Sequence, residues 1–381
     1  MLARFIAARA ADELAAQMLN VAIGWQVYLA TGTPLGLAFV GLAQFVPSVG
    51  LALFAGHAAD RFDRRRLALV ASVAQAGAVV ALGAIVLRGA PVAWVYPALV
   101  WLGAARSFSG PAYASLLPAL VSEPGFPRAV AASTTVFQLC NISGPPLGGV
   151  LLAAGPQVVH GAVAGLYLFA ALVLATLRFS PRAAAASAAE GVLGGLRYLR
   201  SNRLLLALTS LDLFAVLLGG ATALLPIYAH DILEVGPVGL GALRCAPGVG
   251  ATLVGLWLAR RAPHNRWMLR CVAGFGVSTV VFALSRHFWL SLAALIALGG
   301  FDMVSMVIRQ TLVQLATPDA MRGRVSAVNG IFISASSELG EFESGATAAL
   351  LGAVPAAVLG GVGTLLVVVL WRRIFPELER A

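Results

Sequence analysis

Long apolar segments separated by short polar links make up almost the whole chain. Each segment has about 20 or more mostly apolar residues, the length that a helix needs to cross a bilayer. Because only helices and closed barrels satisfy backbone polar groups in lipid, runs of this length predict helices. The pattern predicts twelve spans, at about residues 5–30, 35–58, 67–88, 92–120, 129–153, 158–178, 203–229, 238–260, 267–285, 288–315, 324–349 and 354–371.

The arginines that lie between these spans are concentrated in alternate links. The links after spans 2, 4, 6, 8 and 10 and the C-terminal end are rich in arginine, whereas the other links hold only Arg88 and Arg286. Cytoplasmic loops carry an excess of basic residues, so both termini are predicted to be cytoplasmic. At the first residues, Arg9, Asp12 and Glu13 interrupt any apolar signal region, so a cleaved signal peptide is not expected.

The longest link divides the predicted spans into two sets of six. Residues 179–202 are rich in alanine and serine and then become basic and amphipathic, which predicts a cytoplasmic linker between bundles at 1–178 and 203–381. The halves also resemble each other weakly at the junctions of spans 4–5 and 10–11, near residues 111–133 and 309–329. Paired halves predict an all-helical transporter with a site near the membrane midplane.

Composition supports a membrane protein and argues against several other classes. Apolar residues are 60% of the chain, charged residues 11%, and the mean hydropathy is +0.89. The cysteines lie inside apolar segments, so a disulfide framework is not indicated. The net charge of +10 is spread over short links, so nucleic acid is not an expected partner. No phosphate-binding loop, hydrolase motif or metal-ligand spacing is present, so no enzyme activity, cofactor or metal is expected.

Two motifs resemble those of the major facilitator superfamily. Gly56-x-x-x-Asp60-Arg61-x-Asp63-Arg64-Arg65-Arg66 is similar to its signature loop, with Asp63 where the pattern has glycine. Because aspartate tolerates a left-handed backbone less well than glycine, we expect a differently built turn. Gly144-Pro145-Pro146-Leu147-Gly148-Gly149 resembles the signature of the superfamily's proton-linked exporters. Residues 211–229, 240–251, 309–330 and 337–345 resemble the enterobactin-exporter-like, transmembrane secretion effector branch.

This resemblance implies a fold, a location and a function. The implied fold has twelve transmembrane helices in two six-helix bundles, and the implied protein is a monomer in a bacterial inner membrane. The implied function is proton-coupled efflux of a small amphipathic molecule, siderophore-like or drug-like, by alternating access. The alternative is an importer of lysophospholipid or of another lipid or metabolite.

The signature loop raises two interpretations. Asp60 ends the second span, where a carboxylate favours the positive N-terminus of a neighbouring helix. In the superfamily that neighbour is span 11, which suggests a latch closing the cytoplasmic side. The alternative is topology anchoring by the arginines alone. The predicted gate comprises Gly56, Asp60, Arg61, Arg64, Arg65, Arg66, Arg322 and Arg324.

The glycines and prolines of span 5 also have two interpretations. Small residues allow close helix packing in lipid, and proline bends a helix. A kinked, tightly packed span could seal the protein against proton leak, as the resemblance suggests, or could serve ordinary packing. The residues concerned are Gly144, Pro145, Gly148 and Gly149.

Ionisable residues inside spans are costly and are therefore candidates for substrate or proton binding. Asp302 and Arg309 share a helix face, and so do Glu338 and Glu341. Carboxylates crowded in a low dielectric favour keeping a proton, as coupling requires. The alternatives are neutralisation of Asp12 and Glu13 by Arg9, and structural ion pairs with Arg309 and Arg244. The full candidate set is Asp12, Glu13, Arg106, Asp212, Arg244, Asp302, Arg309, Glu338 and Glu341.

Overall fold

A computed structural model describes residues 1–121, 125–177, 188–261 and 263–380. Their regular secondary structure is helical, which confirms the predicted all-helical class. The helices are α1 (Leu2–Thr31), α2 (Pro34–Arg61), α3 (Arg64–Leu87), α4 (Val95–Leu120), α5 (Phe126–Ala154), α6 (Pro156–Ala175), α7 (Ala188–Ser201), α8 (Arg203–Leu218), α9 (Leu225–Ile227), α10 (Gly236–Leu258), α11 (Trp267–Leu284), α12 (Phe288–Ala316), α13 (Asp319–Leu351), α14 (Ala353–Ile374) and α15 (Glu377–Arg380).

Each of the twelve predicted spans coincides with helix in the structure. Within the described residues, nine helical segments are long and apolar enough to cross a membrane. The other three predicted spans are α1, α4 and α13, which are 30, 26 and 33 residues long. These three contain Asp12, Arg106 and Glu338 among other polar residues, so the helices that miss the apolar criterion carry many of the candidate site residues.

The seventh predicted span is interrupted, although its sequence predicted a continuous helix over 203–229. After α8 the chain forms a 3-10 turn at Ala221–Leu224, the short α9, and a π-helical turn at Tyr228–Ile232. Pro226 lies in the first turn of α9, where a missing backbone N–H breaks no helical hydrogen bond.

Gly220 lies at this interruption, and its lack of a side chain explains why the helix ends there. A methyl carbon added there would lie 2.6 Å from the Ser344 hydroxyl oxygen and 2.7 Å from the Gly340 carbonyl oxygen. Only glycine therefore allows the end of α8 to approach α13 so closely. Irregular helix is common at functional sites of transporters.

The described chain divides into two compact units. Unit 1 contains Met1–Thr31, Ala43–Ala188 and Gly236–Cys245, and unit 2 contains Gly32–Leu42, Ala189–Val235 and Ala246–Ala381. The predicted boundaries of the two bundles and of their linker stay a prediction.

The same packing pattern recurs in each unit. In unit 1, α3 packs against α4 and α6, and α1 packs against α5. In unit 2, α11 packs against α12 and α14, and α8 packs against α13. Counted by predicted span, these are the same pairs in each half. The recurrence agrees with the weak sequence repeat.

The turn of the signature loop is built as a helix cap. The Asp63 carboxylate accepts hydrogen bonds from the backbone N–H groups of Arg65 at 2.9 Å and Arg66 at 3.3 Å. Its φ of −59° lies outside the left-handed region, so the turn does not require glycine. As expected from the sequence, aspartate at this position gives a differently built turn, and its side chain N-caps α3.

The loop arginines bind the ends of neighbouring helices of unit 1. The Arg64 guanidinium donates to the Ser115 carbonyl at 3.2 Å, near the end of α4. The Arg65 guanidinium donates to the Leu177 carbonyl, just after α6. Cations near a helix C-terminus are favourable because the last carbonyls lack helical partners. These two arginines therefore hold the ends of helices together, in addition to any role in setting the orientation of the protein in the membrane.

We predict that Asp63→Ala destabilises the protein by about 0.5–2 kcal/mol, because α3 loses its N-cap. Asp63→Gly, which restores the residue of the superfamily pattern, should cost only about a few tenths of a kcal/mol. Thermal unfolding of the purified variants in one detergent measures the difference. Equal stability of the alanine and glycine variants would contradict the capping role.

Candidate substrate and proton sites

The Asp12 carboxylate is the centre of a polar cluster in unit 1. It accepts hydrogen bonds from the Ser72 hydroxyl at 3.3 Å, the Gln75 amide at 3.4 Å and the Ser109 hydroxyl at 3.3 Å. These donors come from α3 and α4, and all of them are buried. A buried carboxylate is tolerated when it is hydrogen-bonded in this way.

Arg106 on α4 belongs to the same unit and interacts electrostatically with Asp12. Its guanidinium donates to the Gln44 side-chain oxygen of α2 at 3.2 Å. Close contact of α2 and α4 makes this possible, since a methyl carbon added at Gly103 would lie 3.1 Å from the Gln44 Cα and 2.9 Å from Pro47. Arg106 therefore supplies positive charge between two helices of unit 1.

Glu13 faces a different neighbour from Asp12, although the two residues are adjacent. The Gln17 amide donates to Glu13 at 2.8 Å and to the Asn141 side-chain oxygen of α5 at 2.5 Å. The two carboxylates therefore point to different neighbours, Asp12 to α3 and α4 and Glu13 to the Gln17 side chain that also contacts α5. Within the described residues their hydrogen-bond donors are neutral side chains, and neutralisation by Arg9 stays a prediction.

Unit 2 holds a compact ion cluster around Arg309 of α12. Its guanidinium lies 2.5 Å from the Asp212 carboxylate of α8. It also lies 3.8 Å from the carboxylate of Asp302, which is about two turns earlier on α12. It also donates to the Ser305 hydroxyl at 3.0 Å. The Arg309 and Asp212 side chains are only 8% and 12% exposed, whereas that of Asp302 is 44% exposed.

The charges of this cluster do not balance. Two carboxylates share one guanidinium, so the fully ionised cluster carries one net negative charge. One bound proton makes it neutral. A cavity of about 10 Å³ adjoins Asp302, Ser305 and Arg309, which is room for about one water molecule.

The Arg309 guanidinium pairs with Asp212 of α8 and Asp302 of α12, an ion pair between helices of the kind that the sequence suggested for this arginine. On α13, Glu338 and Glu341 lie beside Gly41 of the same unit. A methyl carbon at Gly41 would be 3.2 Å from the Glu341 Cβ and 3.4 Å from the Glu338 carbonyl oxygen. Roles for Glu338, Glu341 and Arg244 stay predictions.

The span 5 motif is a packing surface of α5. A methyl carbon added at Gly144 would lie 2.5 Å from the Gln17 Cβ, and one at Gly148 would lie 2.7 Å from the Met18 carbonyl oxygen. These glycines therefore seat α1 directly on α5. On the segment that begins α10, a methyl carbon at Gly241 would lie 2.5 Å from the Pro145 carbonyl oxygen, and Gly149 similarly approaches Pro237. A sealing role remains a prediction.

The predicted latch is only partly described. The side chain of Asp60 lies outside the described residues, and Arg61 is exposed. The Arg322 guanidinium donates to the Gln314 carbonyl at 3.3 Å, which joins the start of α13 to the end of α12. Arg324 is also exposed. The latch stays a prediction, and Gly56 has no neighbour within 4 Å of an added methyl carbon among the described residues.

Sequence reasoning missed the neutral polar partners of these clusters. These partners lie in apolar spans, where single hydroxyl and amide side chains are less conspicuous than charged residues. They are Ser72, Gln75 and Ser109 around Asp12, and Ser305 beside Arg309. The available signal was the spacing of Ser72 and Gln75, which are three residues apart and therefore share one face of α3 within an apolar span.

Comparisons with known proteins agree with this geometry. Residues 3–380 match the family described as transmembrane secretion effector. The chain is 26% identical over 367 residues to proteins named Enterobactin exporter EntS, for example from Escherichia coli O139:H28 (strain E24377A / ETEC) and Shigella boydii serotype 18 (strain CDC 3083-94 / BS512), covering 93% of this chain and 85% of each relative.

Solved structures share the fold at low identity. A D-xylose-proton symporter superposes with a TM-score of 0.78 at 12% identity, covering 100% of this chain and 99% of that one. A bacterial homologue of the iron transporter ferroportin, in an inward-facing state, gives 0.75 at 14% identity, covering 100% and 98%.

The family match over nearly the whole chain identifies a transporter of the major facilitator type. The chain belongs to its transmembrane secretion effector family, which confirms the resemblance inferred from the motifs. It is therefore a multi-pass membrane protein, and it belongs with transporters rather than with enzymes.

We predict that Gly148→Ala destabilises the protein by about 1–3 kcal/mol, because the added methyl group meets the Met18 backbone. Gly161→Ala on α6 is the matched control, since nothing described lies within 4 Å of its added methyl carbon. Thermal unfolding in detergent measures both. A Gly148→Ala protein as stable as Gly161→Ala would mean that α1 and α5 do not pack this closely.

We also predict that Arg309→Met destabilises the protein by about 3–5 kcal/mol, because it leaves the buried Asp212 carboxylate without a countercharge. Adding Asp212→Leu to Arg309→Met should recover much of this loss, because the uncompensated charge is removed as well. Thermal unfolding of the single and double variants provides the test. A double variant less stable than Arg309→Met alone would argue against the ion pair.

Proposed function

We propose that the protein is a secondary active exporter that couples proton entry to the efflux of a small amphipathic molecule by alternating access. The observation that supports this most directly is the Arg309 guanidinium shared by Asp212 and Asp302. A cluster with one uncompensated negative charge in a low dielectric favours taking up one cation. A proton is the cation that needs no coordination shell.

The geometry favours Asp302 as the group that takes the proton. Asp212 lies at 2.5 Å from Arg309 and is held as an ion pair, whereas Asp302 lies at 3.8 Å with a more exposed side chain. The proton therefore enters on the weakly paired carboxylate, beside room for about one water molecule that could deliver it.

Proton exchange at Asp302 also changes what Arg309 can bind. With Asp302 ionised, the guanidinium is shared by two carboxylates. With Asp302 protonated, Arg309 and Asp212 form a neutral pair and Asp302 becomes a hydrogen-bond donor. The cluster thus has two charge states, and an antiporter needs two such states with different affinities for its substrate.

Asp12 is the second proposed proton site. Its neutral hydrogen-bond donors can serve either charge state of the carboxyl group, because hydroxyl groups both donate and accept. We propose that Asp12 in unit 1 and Asp302 in unit 2 are protonated at different stages of transport.

The substrate class rests on the relatives and on the composition of the spans. The curated relatives are named enterobactin exporters, although at 26% identity. We therefore propose a siderophore-like or drug-like molecule with both apolar and polar parts. We also propose an inner-membrane monomer with both termini cytoplasmic, from the arginine bias of the links.

We predict that Asp302→Asn abolishes proton-driven transport. Everted membrane vesicles with an acid interior would be loaded with enterobactin or, separately, with ethidium, and uptake would be measured with and without the gradient. Asp302→Asn should reduce gradient-driven uptake to the level without a gradient, because asparagine cannot exchange a proton.

Asp231→Asn is the matched control, because the Asp231 side chain is 45% exposed, close to the 44% of Asp302. It should leave gradient-driven uptake unchanged. Full proton dependence in Asp302→Asn would refute the assignment of Asp302. Uptake of lysophospholipid into right-side-out vesicles, with no efflux of either probe, would favour an importer instead.

A further inference from the structure

Unit 1 contains a cavity whose lining follows the cluster around Asp12 along α1 and α3. Its volume is about 480 Å³, within the range of small-molecule pockets. It lies among the last turns of α1 and α3, the start of α4 and the start of α6. Because α3 begins at the arginine-rich loop, this cavity is at the opposite end of unit 1 from that loop.

The cavity has an apolar floor and an open rim. Buried Ile23, Leu82 and Val95 form the floor, whereas exposed Leu29 and Gly89 lie at the rim. Most of the lining is aliphatic. A lining of this kind favours the hydrocarbon part of a ligand, entering from the rim.

Two polar side chains in the lining each have a nitrogen without a partner. The Nε2 atoms of Gln26 and His160 are buried and make no hydrogen bond within the described part of the chain. His160 as a whole is only 4% exposed. Buried polar atoms without partners are uncommon in folded proteins, and each one calls for an explanation.

The chemistry of these nitrogens specifies a partner. The His160 Nδ1 lies 2.8 Å from the Pro156 carbonyl oxygen, which can only accept, so Nδ1 carries the proton. In the neutral ring Nε2 is then an acceptor, whereas the Gln26 amide nitrogen is a donor. A hydroxyl group can satisfy either one, because it both donates and accepts.

Gly83 shows that the position of His160 depends on the packing of α3 against α6. A methyl carbon added at Gly83 would lie 3.1 Å from the His160 Cβ. The histidine therefore lies against a helix that has no side chain at the point of contact, and its ring is held in the cavity wall.

We propose that this cavity is a binding site for amphipathic alcohols, with the hydrocarbon part against the aliphatic floor and the hydroxyl on His160 Nε2 or Gln26 Nε2. The site is separate from the proposed proton clusters. It does not require that the protein be an exporter, and binding alone tests it.

The test uses the full chain in lipid nanodiscs and a photoreactive octanol that carries a diazirine. The matched probe is the same diazirine on octane, without the hydroxyl. Saturable labelling of the peptides around residues 82–95 and 156–160 should be about two- to tenfold stronger with the octanol, as expected for one hydrogen bond. Equal, non-saturable labelling by both probes would overturn the proposal, and would leave water as the occupant.

Variants separate the hydroxyl contact from the apolar pocket. His160→Phe and Gln26→Leu keep the bulk but remove the polar atoms, so one or both should abolish the preference for octanol over octane. Val86→Phe should block labelling by filling the cavity. Gln157→Leu is the control, because Gln157 is exposed on the same helix outside the lining. If His160→Phe fails to fold, Gln26→Leu and Val86→Phe still decide. An octanol preference unchanged in both polar variants would contradict the site.

Discussion

A guanidinium shared by two carboxylates inside a helical unit is the constraint on which the account depends. Burying Arg309 is tolerable only because Asp212 lies against it, and burying Asp212 is tolerable only because Arg309 does. This mutual requirement joins α8 to α12. It also means that Asp302 shares the positive charge of Arg309 with Asp212. Such a carboxyl group can gain or lose a proton while the ion pair of Arg309 and Asp212 stays intact.

Close glycine contacts hold helices together within each unit. Gly148 seats α1 on α5 in unit 1, and Gly220 lets α8 end against α13 in unit 2. Without a hydrophobic driving force between helices in lipid, contacts of this kind supply much of the packing energy. The interruption after α8 lies two turns beyond Asp212, so the ion pair is on regular helix while the irregular segment follows it. Fixed ion pairs beside irregular backbone suit a protein that has to change conformation.

The positions of the helices could be predicted from the sequence because each depends on a local run of apolar residues. The predicted span 288–315 and the observed Phe288–Ala316 differ by one residue. The interruption after α8 could not be predicted, because it depends on contact with α13, far along the chain. The acidic candidates could also be predicted, because a charged residue inside a membrane span has a high free-energy cost and is therefore a candidate for function. Arg309 was found in the same way, but its pairing with Asp212 was not, and neither was the contact of Ser109 with Asp12. Both contacts depend on packing that one sequence does not reveal.

The central claim is that the Arg309 cluster holds one proton on Asp302 and that this proton is exchangeable. Infrared difference spectroscopy of the protein in lipid, between acid and alkaline buffer, detects the C=O stretch of a protonated carboxyl group directly. The account predicts a band that titrates in the unaltered protein, is lost in Asp302→Asn and persists in Asp231→Asn. A titrating spectrum that is the same with and without Asp302 would contradict it.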